Sequence, residues 1–421
     1  MDGTIQNLAT EGRGVLIVAR RLDTMQSGSS QYIYGYLKLC RDAGLSTTLV
    51  FAPRRSFGNL AWARVHPDFE EVVDDIVWPQ SARFGDLFVS TSPKVWGRFL
   101  RRALVEMRRR LSKGESERVP SLLGKELSEG EAQEVMDLLA PLRANIVTAE
   151  YSSLGPLLSG VGDAFRVVFL HDLFSLRAES FLSSGGQPDH HVITMEEEVD
   201  RCRAANLLIH ASCSEYTAMK AVFPQVDHVW MRPTVNVRDF DVSGGGEPHA
   251  VFMGSLHQGN IAALDFLRRK VWPLVRAEKP EARMHIVGTI TSLVDPEEAE
   301  SEGLVLIGPV DDLSEIGGEN AIGLAPMDLG SGIPIKIVDY LALKMPVVAT
   351  SGALASFGGA LDGLLLEPED LQGCAAAILE LLDNENLRKR LSQGASEVRA
   401  RLSNEPLIES LSPALTLVSD R

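Results

Sequence analysis

The chain has 421 residues, 45% of them hydrophobic, and a formal net charge of −16. That length exceeds one compact core and suits two α/β domains of ~100–200 residues each, while the apolar content excludes broad disorder. The acidic balance excludes a general nucleic-acid binder, which needs surplus Lys and Arg to face phosphates.

The first residues, MDGTIQNLATEGRG, carry no basic-then-apolar leader pattern. No run of ~18 apolar residues suited to a membrane span occurs. Cys40, Cys202, Cys213 and Cys374 lack any CxxC or ligand spacing and read as reduced, buried thiols. A cytoplasmic protein is the expectation, with peripheral attachment at the inner membrane face left open.

Val15 to Ala19 (VLIVA) predicts a buried parallel strand. A loop with Ser27-Gly28-Ser29-Ser30 follows, then a helix from Tyr32 to Ala43 closed by Gly44, then the strand Thr47 to Phe51. This opening is a βαβ unit. Further on, Trp96, Phe99, Leu100, Ala103, Leu104, Met107 and Leu111 recur at helical spacing, interleaved with Arg98, Arg101, Arg102, Arg108, Arg109 and Arg110. The ordinary reading is a core-facing helix with a solvated basic side. The other reading lays residues 96–113 on an anionic bilayer.

Apolar runs at Asn145 to Thr148, Val167 to Leu170 and Leu207 to His210 alternate with helix-length segments, which predicts a parallel sheet covered on both faces. His171 stands at the carboxyl end of one of these strands beside Asp172, where ligands of open parallel sheets gather, and this favours a functional histidine over a structural one. His190-His191 and His210 have no zinc spacing, and Cys213 has no base paired with it in the sequence. Asp239-Phe240-Asp241 is a DxD triplet, but two carboxylates do not make a metal site, and no metal is expected.

Ser243-Gly244-Gly245-Gly246 is the predicted linker. The pattern then restarts: strand Val251 to Met253, helix Ile261 to Val275, strand Met284 to Val287, then strands at Leu304 to Ile307, Ala321 to Ala325 and Pro346 to Ala349. The expected domains are 1–243 and 247–402, facing across a cleft that holds the ligand, with a tail, 403–421, returning to the first. The helix-like segment Glu385 to Leu402 is a second candidate for that return.

Between two of these strands, the stretch Ala325 to Lys336 runs through a glycine-containing turn into a helix, Ile337 to Lys344, with Asp339 in its first turn. Backbone amides at such a turn make an anion site reinforced by the helix dipole. Gly330, Ser331, Gly332, Ile333 and Pro334 are placed to cradle a diphosphate, Pro334 only by shaping the turn. Lys336 adds a charge or points to solvent. Asp339, in the first helical turn, is placed to accept hydrogen bonds from vicinal ribose hydroxyls.

The stretch Val251 to Ser403 resembles the donor domain of the family 4 glycosyltransferases of the GT-B fold, through VFMGSLHQGN, VWPLV, MHIVG, GPVDDL and LAPMDLGSGIPIKIVDYLALKMPVVAT in that order. VLIVARRLD, FLHD and the strand leading to Pro233 and Asn236 extend the likeness more weakly, and Trp62 to Ala140 matches nothing in the family. The resemblance implies two Rossmann-like doubly wound domains. It implies that Asp339 binds the ribose, that Ser331 stands near the donor sugar, and that Gly332, Ile333 and Pro334 line the diphosphate. It also implies that Gly254 and Ser255 approach the phosphates, that Val310 lies near the nucleobase, that His171 contacts the donor sugar, and that Gly28 approaches phosphate or acceptor.

Two departures stand out: Ser331 and Asp339 occupy positions where many members carry glutamates, and His257 and Gln258 occupy the place of a basic pair. Lys336, Arg177 and Arg232 are candidate replacements for that pair. The expected activity is retaining, metal-independent hexosyl transfer from a UDP- or GDP-linked sugar to an acceptor hydroxyl, in glycan, glycolipid or natural-product assembly, with no cofactor besides the donor. A sugar-nucleotide epimerase or a non-catalytic GT-B partner subunit are the alternatives.

Overall fold

The computed structural model describes residues 12–25, 27–111, 122–183, 187–188, 190–233, 246–310, 312–326 and 333–416. The chain divides into two compact units: Met1–Ala211 with Glu215–Met231 and Asn404–Arg421, and Ser212–Ser214 with Arg232–Ser403.

In the first unit, β1 (Gly12–Val18), β2 (Leu45–Phe51), β4 (Asp75–Val77), β7 (Ile146–Glu150), β8 (Phe165–Leu170), β9 (Leu207–His210) and β10 (Asp227–Trp230) form one sheet in the order β10-β9-β8-β7-β1-β2-β4. Every pairing in it is parallel. The central strands β1, β8 and β9 carry continuous buried apolar runs, as expected of a sheet covered on both faces. Val15, Ile17, Val147, Val168 and Leu208 are buried together in its core. Helix α1 (Gly28–Asp42) begins four residues before the sequence suggested, because the Ser27 hydroxyl caps it by accepting from the amide of Ser30. Gly28 therefore lies in the first helical turn and not in a loop.

A second, antiparallel sheet of β3 (Trp62–Arg64), β5 (Ser81–Phe84) and β6 (Leu87–Ser90) accounts for part of the segment without family likeness. Helix α2 (Pro93–Leu111) follows it. The core-facing reading of α2 does not hold: Leu100, Leu104 and Met107 are 55%, 54% and 55% exposed.

The second unit is built on a five-stranded parallel sheet in the order β13-β12-β11-β14-β15, from β11 (His249–Met253), β12 (Met284–Val287), β13 (Leu304–Gly308), β14 (Ala321–Ala325) and β15 (Val347–Ala349). Phe252, Trp272, Ile286, Ile322 and Ile378 center its core. The helices Glu385–Ser392 and Ala395–Arg401 stay in this unit, so the proposed return at 385–402 is corrected. The helix counted with the first unit is Glu405–Thr416, which buries Leu407 and Leu411 and lies against β10. Among the described residues, no helix is long and apolar enough to cross a membrane.

A histidine pair in the first unit, buried His210 and half-buried His228, gives a pH prediction. His228 donates from Nε2 to the Phe223 carbonyl at 2.8 Å, so its Nδ1 accepts, at 3.0 Å, from Nε2 of His210. His210 Nδ1 is then unprotonated and buried, with no hydrogen-bond partner among the described residues. Burial, and secondarily His228, push the His210 imidazole down to about 3. The folded state therefore binds fewer protons than the unfolded state between pH ~6.5 and 3, and stability falls as pH drops through that window. Denaturant titrations of His210→Phe are expected to show a flatter loss of stability between pH ~6.5 and 4 than the parent. Equal slopes would exclude this pair as the acid-sensitive element.

Candidate active site

The second unit brings several predicted residues together at the carboxyl ends of β11 and β14. Helix α3 (Gln258–Phe266) follows β11, and helix α4 (Lys336–Ala342) precedes β15. Tyr340 fixes α4 to the sheet: its buried hydroxyl accepts from the Met253 amide at 2.8 Å and donates to the Leu324 carbonyl at 3.3 Å. The Tyr340 ring crosses Gly323 so closely that a Cβ there would lie 2.5 Å from it. Glycine at 323 is thus a packing requirement of this helix.

Lys336 does not point to solvent. Its Nζ donates to Asn260 Oδ1 at 2.7 Å and sits over the Phe252 ring at 4.4 Å from the centroid. The Asn260 amide in turn donates to the Ser255 carbonyl and hydroxyl at 3.2 and 3.3 Å. Asn260, which sequence reasoning missed, thereby ties Ser255 to Lys336. Asp339 lies one helical turn after Lys336, and both side chains keep part of their surface. Protein atoms nevertheless crowd both. Burial pushes the Lys336 ammonium down to about 7 and the Asp339 carboxyl up to about 7, and in each case the charge of the other opposes the shift.

Gly254 packs under this arrangement, and its carbonyl would lie 2.3 Å from a Cβ on Gly288, whose φ is +98°. His257 caps α3 by accepting from the Gly259 amide at 3.3 Å, which explains what occupies the place of the expected basic pair. Ile333 and Pro334 are half-buried at the entry to α4, and Val310 is half-buried just after β13. Gly330, Ser331 and Gly332 lie outside the described residues, as do Asp239-Phe240-Asp241 and Ser243 to Gly245.

In the first unit, Gly28 and His171 belong to one cluster at the ends of β1, β7 and β8. Arg20 donates to Ser27 at 3.0 Å and Ser30 at 3.3 Å, and also to Ser29, around the first turn of α1. Its Nε lies 4.0 Å from Glu150 Oε1, and His171 Nε2 lies 3.5 Å from the same oxygen. Glu150 is 1% exposed, yet neither of its oxygens nor either His171 nitrogen has a hydrogen-bond partner among the described residues. Phe169 and Tyr151 hold the His171 ring, at centroid distances of 4.3 and 5.0 Å. Tyr151 has a φ of +63°, a conformation non-glycine residues rarely adopt. A carboxyl closing a fully buried strand, IVTAE, is the sequence signal for Glu150.

The other candidates are accounted for within their own units. Arg177 pairs with Asp172 at 2.8 Å. Arg232 donates to the Ser403 carbonyl at 3.0 Å and counts with the second unit, not the first. The amides of Phe174 and Ser175, at the start of the helix Phe174–Ser183, already donate to the Glu198 carboxylate at 3.0 and 2.9 Å. That helix start is filled by the protein itself. A cavity of about 490 Å³ in the first unit is lined by Arg54, Lys94, Arg98, Glu131 and Glu134. Its walls carry three cations and two carboxylates, with Arg54 and Glu131 3.4 Å apart, and it lies at neither strand-end cluster.

Residues 247–384 match a family model described as Glycosyl transferases group 1. No curated protein matches the chain by sequence. Among solved structures, the chain is similar to sucrose-phosphate synthase from Thermosynechococcus elongatus, with a TM-score of 0.61 and 12% identity over 97% of this chain and 100% of that one. It is similar to the E. coli trehalose-6-phosphate protein bound with UDP-2-fluoro glucose, with a TM-score of 0.58 and 13% identity over 96% and 99%. An O-GlcNAc transferase mutant from Thermobaculum terrenum gives a TM-score of 0.56 and 12% identity over 98% and 68%. The fold is therefore that of the GT-B glycosyltransferases, and residues 247–384 carry the sequence pattern of the group 1 glycosyl transferases.

Proposed function

We propose that the protein is a retaining, metal-independent glycosyltransferase that moves a hexosyl group from a nucleoside diphosphate sugar to an acceptor hydroxyl. The observation that carries this reading is the Lys336–Asp339 pair, a cation and a carboxyl crowded into one turn of α4 inside the segment that matches the family model. A departing diphosphate gathers negative charge, and a fixed ammonium with backbone amides stabilises that charge without reorganisation. Asp339 accepts from the ribose hydroxyls and sets the nucleotide's register. Gly254 and Ser255 approach the phosphates, and Ile333 and Pro334, at the entry to α4, line the diphosphate. His171 serves the sugar, and Glu150 is a positioning residue for its ring. We assign no enzymatic nucleophile, so retention arises from front-face attack by the acceptor. Uridine is our first choice of base, since the similar E. coli protein is bound with UDP-2-fluoro glucose.

Thermal-shift screening against UDP-, GDP- and ADP-sugars tests the donor, because a bound ligand raises the melting temperature by mass action. Proton NMR of the product made from the best donor then reports the anomeric configuration. A shift with one nucleotide sugar and retained configuration in the presence of chelator is expected. No shift with any of them overturns the donor assignment, inversion overturns retention, and activity that returns only with added magnesium overturns metal independence.

A further inference from the structure

We propose that α2 is a docking element for an anionic lipid bilayer. This inference goes beyond sugar transfer and rests on the surface of the first unit alone. The helix is 19 residues long, about 28 Å at 1.5 Å per residue. Its first turns are anchored on the rest of the unit. Val95 is buried, Trp96 Nε1 donates to the Ser90 carbonyl at 2.7 Å, Arg98 donates to the Arg54 carbonyl at 2.5 Å, and Phe99 meets the Trp62 ring edge-on at 5.2 Å.

Beyond Phe99 the apolar stripe of Leu100, Leu104 and Met107, spaced to share one face, stands in water. The same helix carries seven basic residues and one carboxylate in PKVWGRFLRRALVEMRRRL, a local excess of six positive charges in a chain of net −16. An apolar stripe alone would suit many partners. The combination with arginines fits a surface that offers apolar depth and dense phosphate together, which an anionic bilayer provides. The stripe enters the acyl boundary while the guanidinium groups pair with headgroup phosphates.

Flotation with vesicles of phosphatidylcholine alone, and of phosphatidylcholine mixed with phosphatidylglycerol, tests this on the full chain. The parent is expected to float with the anionic vesicles and to be released by high salt, since headgroup attraction is screened. The triple variant Leu100→Ser, Leu104→Ser, Met107→Ser and the double variant Arg101→Glu, Arg102→Glu are each expected to lose at least ten-fold in the floated fraction. These side chains are not in the core, and unchanged melting temperatures would show that the variants fold. Failure of the parent to float, equal recovery of the variants, or equal recovery on neutral vesicles would overturn the proposal. So would a concentration-dependent dimer abolished by the same substitutions without flotation, which would assign the face to a second copy. A donor-induced thermal shift unchanged in the variants would separate this outcome from any failure of the sugar-transfer reading.

Discussion

Lys336→Met is expected to lower kcat/KM for transfer by about a hundred- to a thousand-fold, the range seen when one preorganised donor to a developing anion is removed. The proton balance of donor binding provides a sharper test. In the unligated protein, burial holds the Lys336 ammonium near 7, so at pH 8 the side chain is mostly neutral. A diphosphate beside it favours the charged form, and binding at pH 8 must then take up a proton. Asp339 works in the opposite sense. Its carboxyl is raised to about 7, is mostly protonated below that pH, and must lose its proton to accept from two ribose hydroxyls. Binding near pH 6 is therefore expected to release a proton. Calorimetric titrations in two buffers of different ionisation enthalpy measure both, and uptake at pH 8 should vanish in Lys336→Met. Donor binding with no proton exchange at either pH would remove this pair from the phosphate and ribose contacts.

Glu150→Met is expected to make the protein more stable and less active. A buried carboxyl with no hydrogen-bond partner is destabilising by about 1–3 kcal/mol, and Glu150 has none among the described residues. Relief of that penalty would raise the melting temperature by several degrees, at roughly 2–4 °C per kcal/mol for a domain of this size. Transfer would fall by about ten- to a hundred-fold, because a loosely held His171 ring no longer meets the sugar in one orientation. The fall should lie mainly in kcat, and the pH profile of kcat should change with it. A stability gain with unchanged kinetics would make the residue an unused relic, and a stability loss would mean that the carboxyl is satisfied in solution.

Most strands of the two parallel sheets were legible because they are short, nearly continuous apolar runs, a pattern with one dominant explanation; β4, three residues with an exposed Asp75, was not. VLIVA, NIVT and VVFL became β1, β7 and β8 within three residues at each end. The antiparallel sheet of β3, β5 and β6 was not legible. Its strands are three or four residues long and mix Trp, Arg and Ser, so no period emerges. Helix α2 shows a different limit. Periodicity reports that one face is apolar, and it is silent on what covers that face. At the candidate site, Asp339 could be read from its place in the first turn of a helix that follows a glycine turn, whereas Lys336, read as the end of that turn, is the first helical residue. The Arg20–Glu150–His171 cluster joins residues up to 151 positions apart, and the Asn260 bridge to Lys336 spans 76. Such pairings follow from strand order, which a single sequence does not print.

The helix Glu405–Thr416 carries one more consequence. It completes the first unit against β10, yet more than 170 residues of the second unit separate it from Met231. During synthesis, at roughly 5–20 residues per second, the ribosome emits the whole later domain before this piece appears. The earlier domain must therefore wait with one side uncovered, and a released chain truncated after Ser403 would show a finished later half and a protease-sensitive earlier one.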